Sequence, residues 1–87
     1  MSPLFVLLQA TVEVATQWMK MGAGFAAAIA VFAAAWGIGK IGSTALEAIA
    51  RQPEAGNDIR SSMIVSAALI EGVTFFAILV CFLVLFV

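Results

Sequence analysis

The residue whose type and setting could do chemistry is Glu71. It is the only charged side chain in SAALIEGVTFFAILVCFLVLFV, residues 66–87. A carboxylate near the centre of hydrocarbon costs roughly 2.5–3.5 kcal/mol on insertion scales, and removal from water favours the neutral form of a carboxyl. Glu71 is therefore expected to rest protonated when it faces lipid or neighbouring helices. No Lys or Arg falls at its level in the sequence, so a static ion pair within one chain does not account for it. One reading is a carboxyl that hydrogen-bonds between helices purely as glue. The sharper reading is a reversible proton site, whose charge changes when a polar path or a cationic partner reaches it, because an ionisable residue inside a membrane is a functional site by default.

Other chemistries find little support. With no histidine in the chain, zinc constellations and triads that need one are excluded, and no catalytic residue, metal site or cofactor is expected. The lone Cys81 has no internal disulfide partner, and deep in an apolar run it reads as a small hydrophobe. The net charge of −1 and the absence of a basic run argue against nucleic acid as a partner.

The elements that must position Glu71 follow from hydropathy. Of the 87 residues 64% are hydrophobic and the mean hydropathy is +1.17, too apolar for a soluble globule. Residues 21–39 carry no charge and residues 61–87 carry only Glu71. A hydrocarbon core of about 30 Å needs about 20 helical residues, so two spans fit and a third does not. The division expected is an N-terminal segment 1–20, a first transmembrane helix 21–50, a polar turn 51–58 and a second transmembrane helix 59–87. Counted from Pro53 at about 1.5 Å per residue, Glu71 lies about 27 Å along the second helix, level with Ala35 to Ile38 of the first.

The segment EAIARQPEAGNDIRSS holds most of the charge and reads as the turn of a helical hairpin. Pro53 suits the first position of a helix, where it has no N–H to lose, and Glu54 then sits at the positive end of the helix dipole. Lys40, Arg51 and Arg60, three of the four basic residues, lie in or near the turn. The positive-inside rule therefore puts the turn in the cytoplasm and both termini on the outer side.

The first span is built of small residues: Gly22, Ala23, Gly24, Ala26, Ala27, Ala28, Ala30, Ala33, Ala34, Ala35, Gly37, Gly39 and Gly42. Close approach of backbones is what drives helix association in lipid. Its large residues Phe25, Ile29, Phe32 and Trp36 recur at helical spacing as one bulky stripe, leaving the other faces smooth enough to pack on more than one side. The second span is bulky and lipid-facing in character, with Phe75, Phe76, Phe82 and Phe86. A thin inner helix and a bulky outer helix make a wedge, and wedges repeated side by side close into a ring. The fold class expected is thus all-α: a membrane protein of two-transmembrane-helix hairpins assembled into a cylindrical homo-oligomeric ring.

The opening segment MSPLFVLLQATVEVATQW lacks the basic start and the small-residue cleavage site of a signal peptide. Gln9, Glu13, Thr16, Gln17 and Lys20 draw a polar stripe on an otherwise apolar helix. Both an amphipathic helix on the membrane surface and a projecting start of the first span fit that pattern.

ARQPEAGNDIR followed by ALIEG, after a Gly/Ala-rich first span, closely resembles the c-subunit family of the F-type ATP synthases, the proteolipid of the membrane rotor ring. The resemblance covers residues 21–87 and rests on Arg51-Gln52-Pro53 in the turn and a single carboxylate 18 residues after the proline. It implies that Glu71 binds the coupling ion, that an arginine of the stator a-subunit releases it, and that Arg51, Gln52 and Pro53 contact the central-stalk subunits gamma and epsilon. It further implies a bacterial inner membrane as the location, identical subunits and lipid as the other partners, and no covalent catalysis by the chain itself.

Sodium-binding members of the family resemble one another in extra oxygen ligands around the carboxylate. Here Ile38, Gly72 and Phe76 stand at the matching positions, leaving Glu71 and the carbonyl of Leu69 nearly alone. The ion implied is H⁺. The four alternating glycines common in the family's first helix are represented by Ala33, Ala35, Gly37 and Gly39. Two rivals remain: the same rotor coupled to Na⁺, and a self-assembling membrane pore or scaffold with no ion-coupling role.

Overall fold

The computed structural model describes residues 2–87. It contains two α-helices, α1 (Pro3–Arg51) and α2 (Gly56–Val84), joined by one 3-10 turn at Pro53–Ala55. They run antiparallel as a hairpin, and no strand is present among the described residues.

Helix α1 starts where Ser2 accepts a hydrogen bond from the Phe5 N–H (3.1 Å) and Pro3 occupies the first turn, the arrangement that satisfies an orphan donor at no cost to the proline. No proline interrupts it until Pro53. At a rise of about 1.5 Å per residue such a helix is about 73 Å long, and the longest dimension of the chain is 76 Å. The helix is therefore close to straight, and residues 3–20 continue the axis of the span rather than folding away from it.

The hairpin reverses because of Pro53. The ring of a proline disfavours α geometry in the residue before it, and Gln52 leaves the helix (φ −134°, ψ 74°) while its N–H still donates to the Ala48 carbonyl (2.9 Å). The Ala55 N–H then donates back to the Gln52 carbonyl (3.0 Å). Pro53 thus opens a single 3-10 turn, with Glu54 beside it, before α2 begins at Gly56. Arg51 in the last turn of α1 and Asp58 in the first turn of α2 both complement the helix dipoles.

The face of α1 against α2 is formed by Ala23, Ala27, Ala30, Ala34, Gly37, Ile41, Ala45 and Ala48, all buried or half-buried. The opposing face of α2 runs Gly56, Ile59, Met63, Ser66, Ile70, Thr74, Ala77, Cys81 and Val84. Each steps by three or four residues, averaging about 3.5, close to the 3.6 of a straight helix. Larger residues of each helix settle on glycines of the other. A Cβ built on Gly37 would lie 3.1 Å from Cδ1 of Ile70, and one on Gly56 3.7 Å from Cγ2 of Ile49. Only Ala23, Ala34 and Ala45 form a buried apolar core, so the isolated hairpin leaves almost all its apolar surface uncovered.

The bulky stripe of α1 lies away from α2: Phe25, Ile29, Phe32 and Trp36 are each about two-thirds exposed or more, Phe32 reaching 71%. On α2, Phe75, Phe76 and Phe82 also point outward, as does Phe86 just beyond its end. Both helices are long and apolar enough to cross a membrane.

Candidate ion-binding site

The Gly37–Ile70 contact fixes the site. Ile70 points at α1, and successive residues of a helix turn by roughly 100°. Glu71, one residue on, is therefore carried to one flank of the hairpin, and Leu69, one residue back, to the other. The clefts agree with this. Glu71 lines a cleft with Ile38, Ile41, Gly42, Met63, Ile64, Ala67 and Ala68. Leu69 lines a cleft with Ala30, Ala33, Ala34, Ile70, Val73, Thr74 and Ala77.

The carboxylate thus stands at the open edge of an apolar cleft, and no other lining side chain there can ionise or donate oxygen. Glu71 itself is exposed in the single hairpin. Of the residues singled out around it, Ile38 shares its cleft. Gly72 faces outward, and a Cβ added there would meet nothing within 4 Å. Phe76 is 67% exposed and, seven residues from Leu69, falls on the Leu69 flank by helical period. One hairpin therefore does not bring Leu69 or Phe76 to Glu71.

One hydroxyl close to the site is bonded locally. The Thr74 Oγ1–H donates to the Ile70 carbonyl at 2.7 Å, the i−4 back-bond common in membrane helices. The bond uses the Thr74 proton and leaves its lone pairs, but Thr74 lines the Leu69 cleft and not that of Glu71.

Arg51, Gln52 and Pro53 are exposed together at the tip of the hairpin. The tip and Glu71 are joined by α2 without a break. A second groove near the tip combines Lys40, Thr44, Asp58, Ser62 and Ser66 with Ile41, Ala45, Ala48, Ile59 and Met63. It lies on the Leu69 flank, and the polar character of that wall was not legible from the sequence because its residues come from both helices.

Comparison with known proteins gives a consistent result. The sequence model of the family described as the C-subunit of ATP synthase matches residues 21–84. A protein of Bacteroides thetaiotaomicron named as an ATP synthase c-subunit is 59% identical over 83 residues, covering 95% of this chain and 96% of that protein. Its counterpart in Phocaeicola vulgatus shows the same identity and the same coverage. In Lactobacillus helveticus a protein of the same name is 47% identical over 66 residues, 76% of this chain and 86% of its own. No solved structure matches this chain. The family match begins at residue 21, so the helical extension 3–20 lies outside it, whereas the 83-residue alignments take in most of that extension.

Proposed function

The chain belongs to the ATP synthase c-subunit family, and on that premise we propose that it is a rotor-ring subunit that carries H⁺ by reversible protonation of Glu71 and couples this to rotation and ATP synthesis. The observation that carries the proposal is the position of Glu71 at the open flank of the hairpin, as the one ionisable group of an apolar cleft.

Ring assembly makes sense of the divided site. If identical hairpins stand side by side, the flank with Glu71 and Ile38 of one copy meets the flank with Leu69 and Phe76 of the next. Small residues of α1 permit the close approach this needs. The carboxyl is then enclosed by apolar groups of two copies.

Rotation follows from the cost of charge. A protonated Glu71 passes through lipid, whereas an ionised one does not. Proton delivery through one half-channel of the stator a-subunit neutralises Glu71; after nearly a full turn, the stator arginine favours the carboxylate and the proton leaves by the other half-channel. A membrane potential contributes about 2.3 kcal/mol per charge per 100 mV. Torque passes to the central-stalk subunits gamma and epsilon at Arg51, Gln52 and Pro53, on the cytoplasmic side. The chain itself makes and breaks no covalent bond beyond the O–H of Glu71.

Proton rather than sodium coupling is supported by the donor set. Sodium prefers several oxygen ligands, and Ile38 and the other lining residues supply none from their side chains. The decisive test is Glu71→Gln in the assembled synthase. Gln keeps the volume and hydrogen-bonding capacity but exchanges no proton. Intact rings without proton-driven ATP synthesis are expected; a variant that still makes ATP would remove the assignment and favour the pore or scaffold reading.

A further inference from the structure

We infer that residues 3–20 continue the inner helices beyond the end of the outer ones as a self-associating collar, in which the apolar flanks of neighbouring copies pack together and the polar stripe faces water. The inference rests on the ring reading above and adds an interface that this reading does not contain.

The register is set by Gly37 opposite Ile70. Fourteen residues further along α2 is Val84, its last residue; fourteen back along α1 is Ala23, which is buried. Beyond that level α1 has no partner helix for residues 3–20, about 27 Å at about 1.5 Å per residue.

At that level the α2-facing seam of α1 changes character. Traced backward by steps of three and four from Ala30, Ala27 and Ala23, it continues through Lys20, Thr16, Glu13 and Gln9. The stripe noted in the sequence is the same seam, polar where α2 stops covering it. Gln9, Glu13, Thr16, Gln17 and Lys20 line one face together, with the apolar Phe5, Leu8 and Val12 along one edge of it.

The other faces do not change. Leu7, Leu8, Val14 and Trp18 of the extension are all more than half exposed, as the flanks and back of the membrane-spanning part are. Had the extension lain free in water, its polar residues would be needed all round; apart from Thr11, whose hydroxyl donates to the Leu7 carbonyl, they lie on the face that loses α2. A second copy on each flank is the cover that would keep the remaining faces apolar, continuing the contacts the spans make in a ring. Glu13 and Lys20 are the only charges of the segment and cancel, so assembly stacks no net charge.

Disulfide cross-linking in membranes tests this in a Cys81→Ala background. Positions two apart on a helix point to opposite flanks, so Leu8→Cys with Ala10→Cys probes the collar and Ala33→Cys with Ala35→Cys probes the ring. Mild oxidation is expected to give a ladder of covalent multimers with both pairs, while Gln9→Cys alone gives no ladder and reacts with a membrane-impermeant maleimide added from the outer side. A ladder from the Ala33/Ala35 pair but none from the Leu8/Ala10 pair overturns the collar and leaves the ring standing, as expected of an extension lying on the membrane surface. Failure of the Ala33/Ala35 pair removes the ring reading itself, and the collar with it.

Discussion

Gly37 and Ile70 meet at the point that sets the whole hairpin: a methyl group on Gly37 would sit 3.1 Å from Cδ1 of Ile70, tighter than carbon atoms ordinarily pack. That contact aims Ile70 at α1, and so turns Glu71 to one flank and Leu69 to the other.

Replacing Gly37 by Ala should therefore loosen the hairpin modestly, because the atom in the way is the end of a flexible side chain. Overpacking of this kind costs about 1–3 kcal/mol. Ile70→Val removes that terminal methyl, and the double variant is expected to recover most of the loss. Thermal resistance of the detergent-solubilised oligomer, measured for both single variants and the double, gives the coupling between them; strictly additive losses would show that the two residues do not meet.

A larger group on the flank should act on assembly rather than on the hairpin. Ala33 is exposed and lines the cleft shared with Leu69 and Val73, where the ring reading seats a neighbouring copy. Ala33→Leu is expected to reduce or abolish ring formation while the monomer still inserts, since a bulky residue separates helices that depend on close approach. Gel analysis of the mild-detergent extract reads this out, and an unchanged oligomer yield and size would count against a neighbour on that flank.

A carbodiimide that attacks protonated carboxyls in apolar surroundings should label Glu71 selectively. Glu47, Glu54 and Asp58 lie at or near the tip of the hairpin and Glu13 on the polar stripe, outside apolar surroundings. Labelling requires the protonated carboxyl. Adding Na⁺ at fixed pH should leave the rate unchanged. Protection by sodium, followed by mass spectrometry of the labelled peptide, would replace the proton with sodium as the coupling ion; label spread over several acids would deny Glu71 its special setting.

The two apolar helices, the reversal at Pro53 and the lone carboxylate 18 residues beyond it are legible in the sequence, because span length, proline geometry and the cost of charge in hydrocarbon are local properties of the chain. So is the bulky stripe Phe25, Ile29, Phe32 and Trp36, which follows from helical period alone. Which face of α1 meets α2 is settled only by packing. Ala and Gly surround so much of that helix that its own periodicity selects no single face; the choice is made by where Ile49 and Ile70 find room against Gly56 and Gly37. Only that pairing turns Leu69 and Glu71 to opposite flanks. The same pairing gives Gln9, Glu13 and Lys20 their meaning: in the sequence they are a polar stripe open to two readings, and in the fold they continue the seam that α2 covers as far as Val84, polar because the apolar partner ends there.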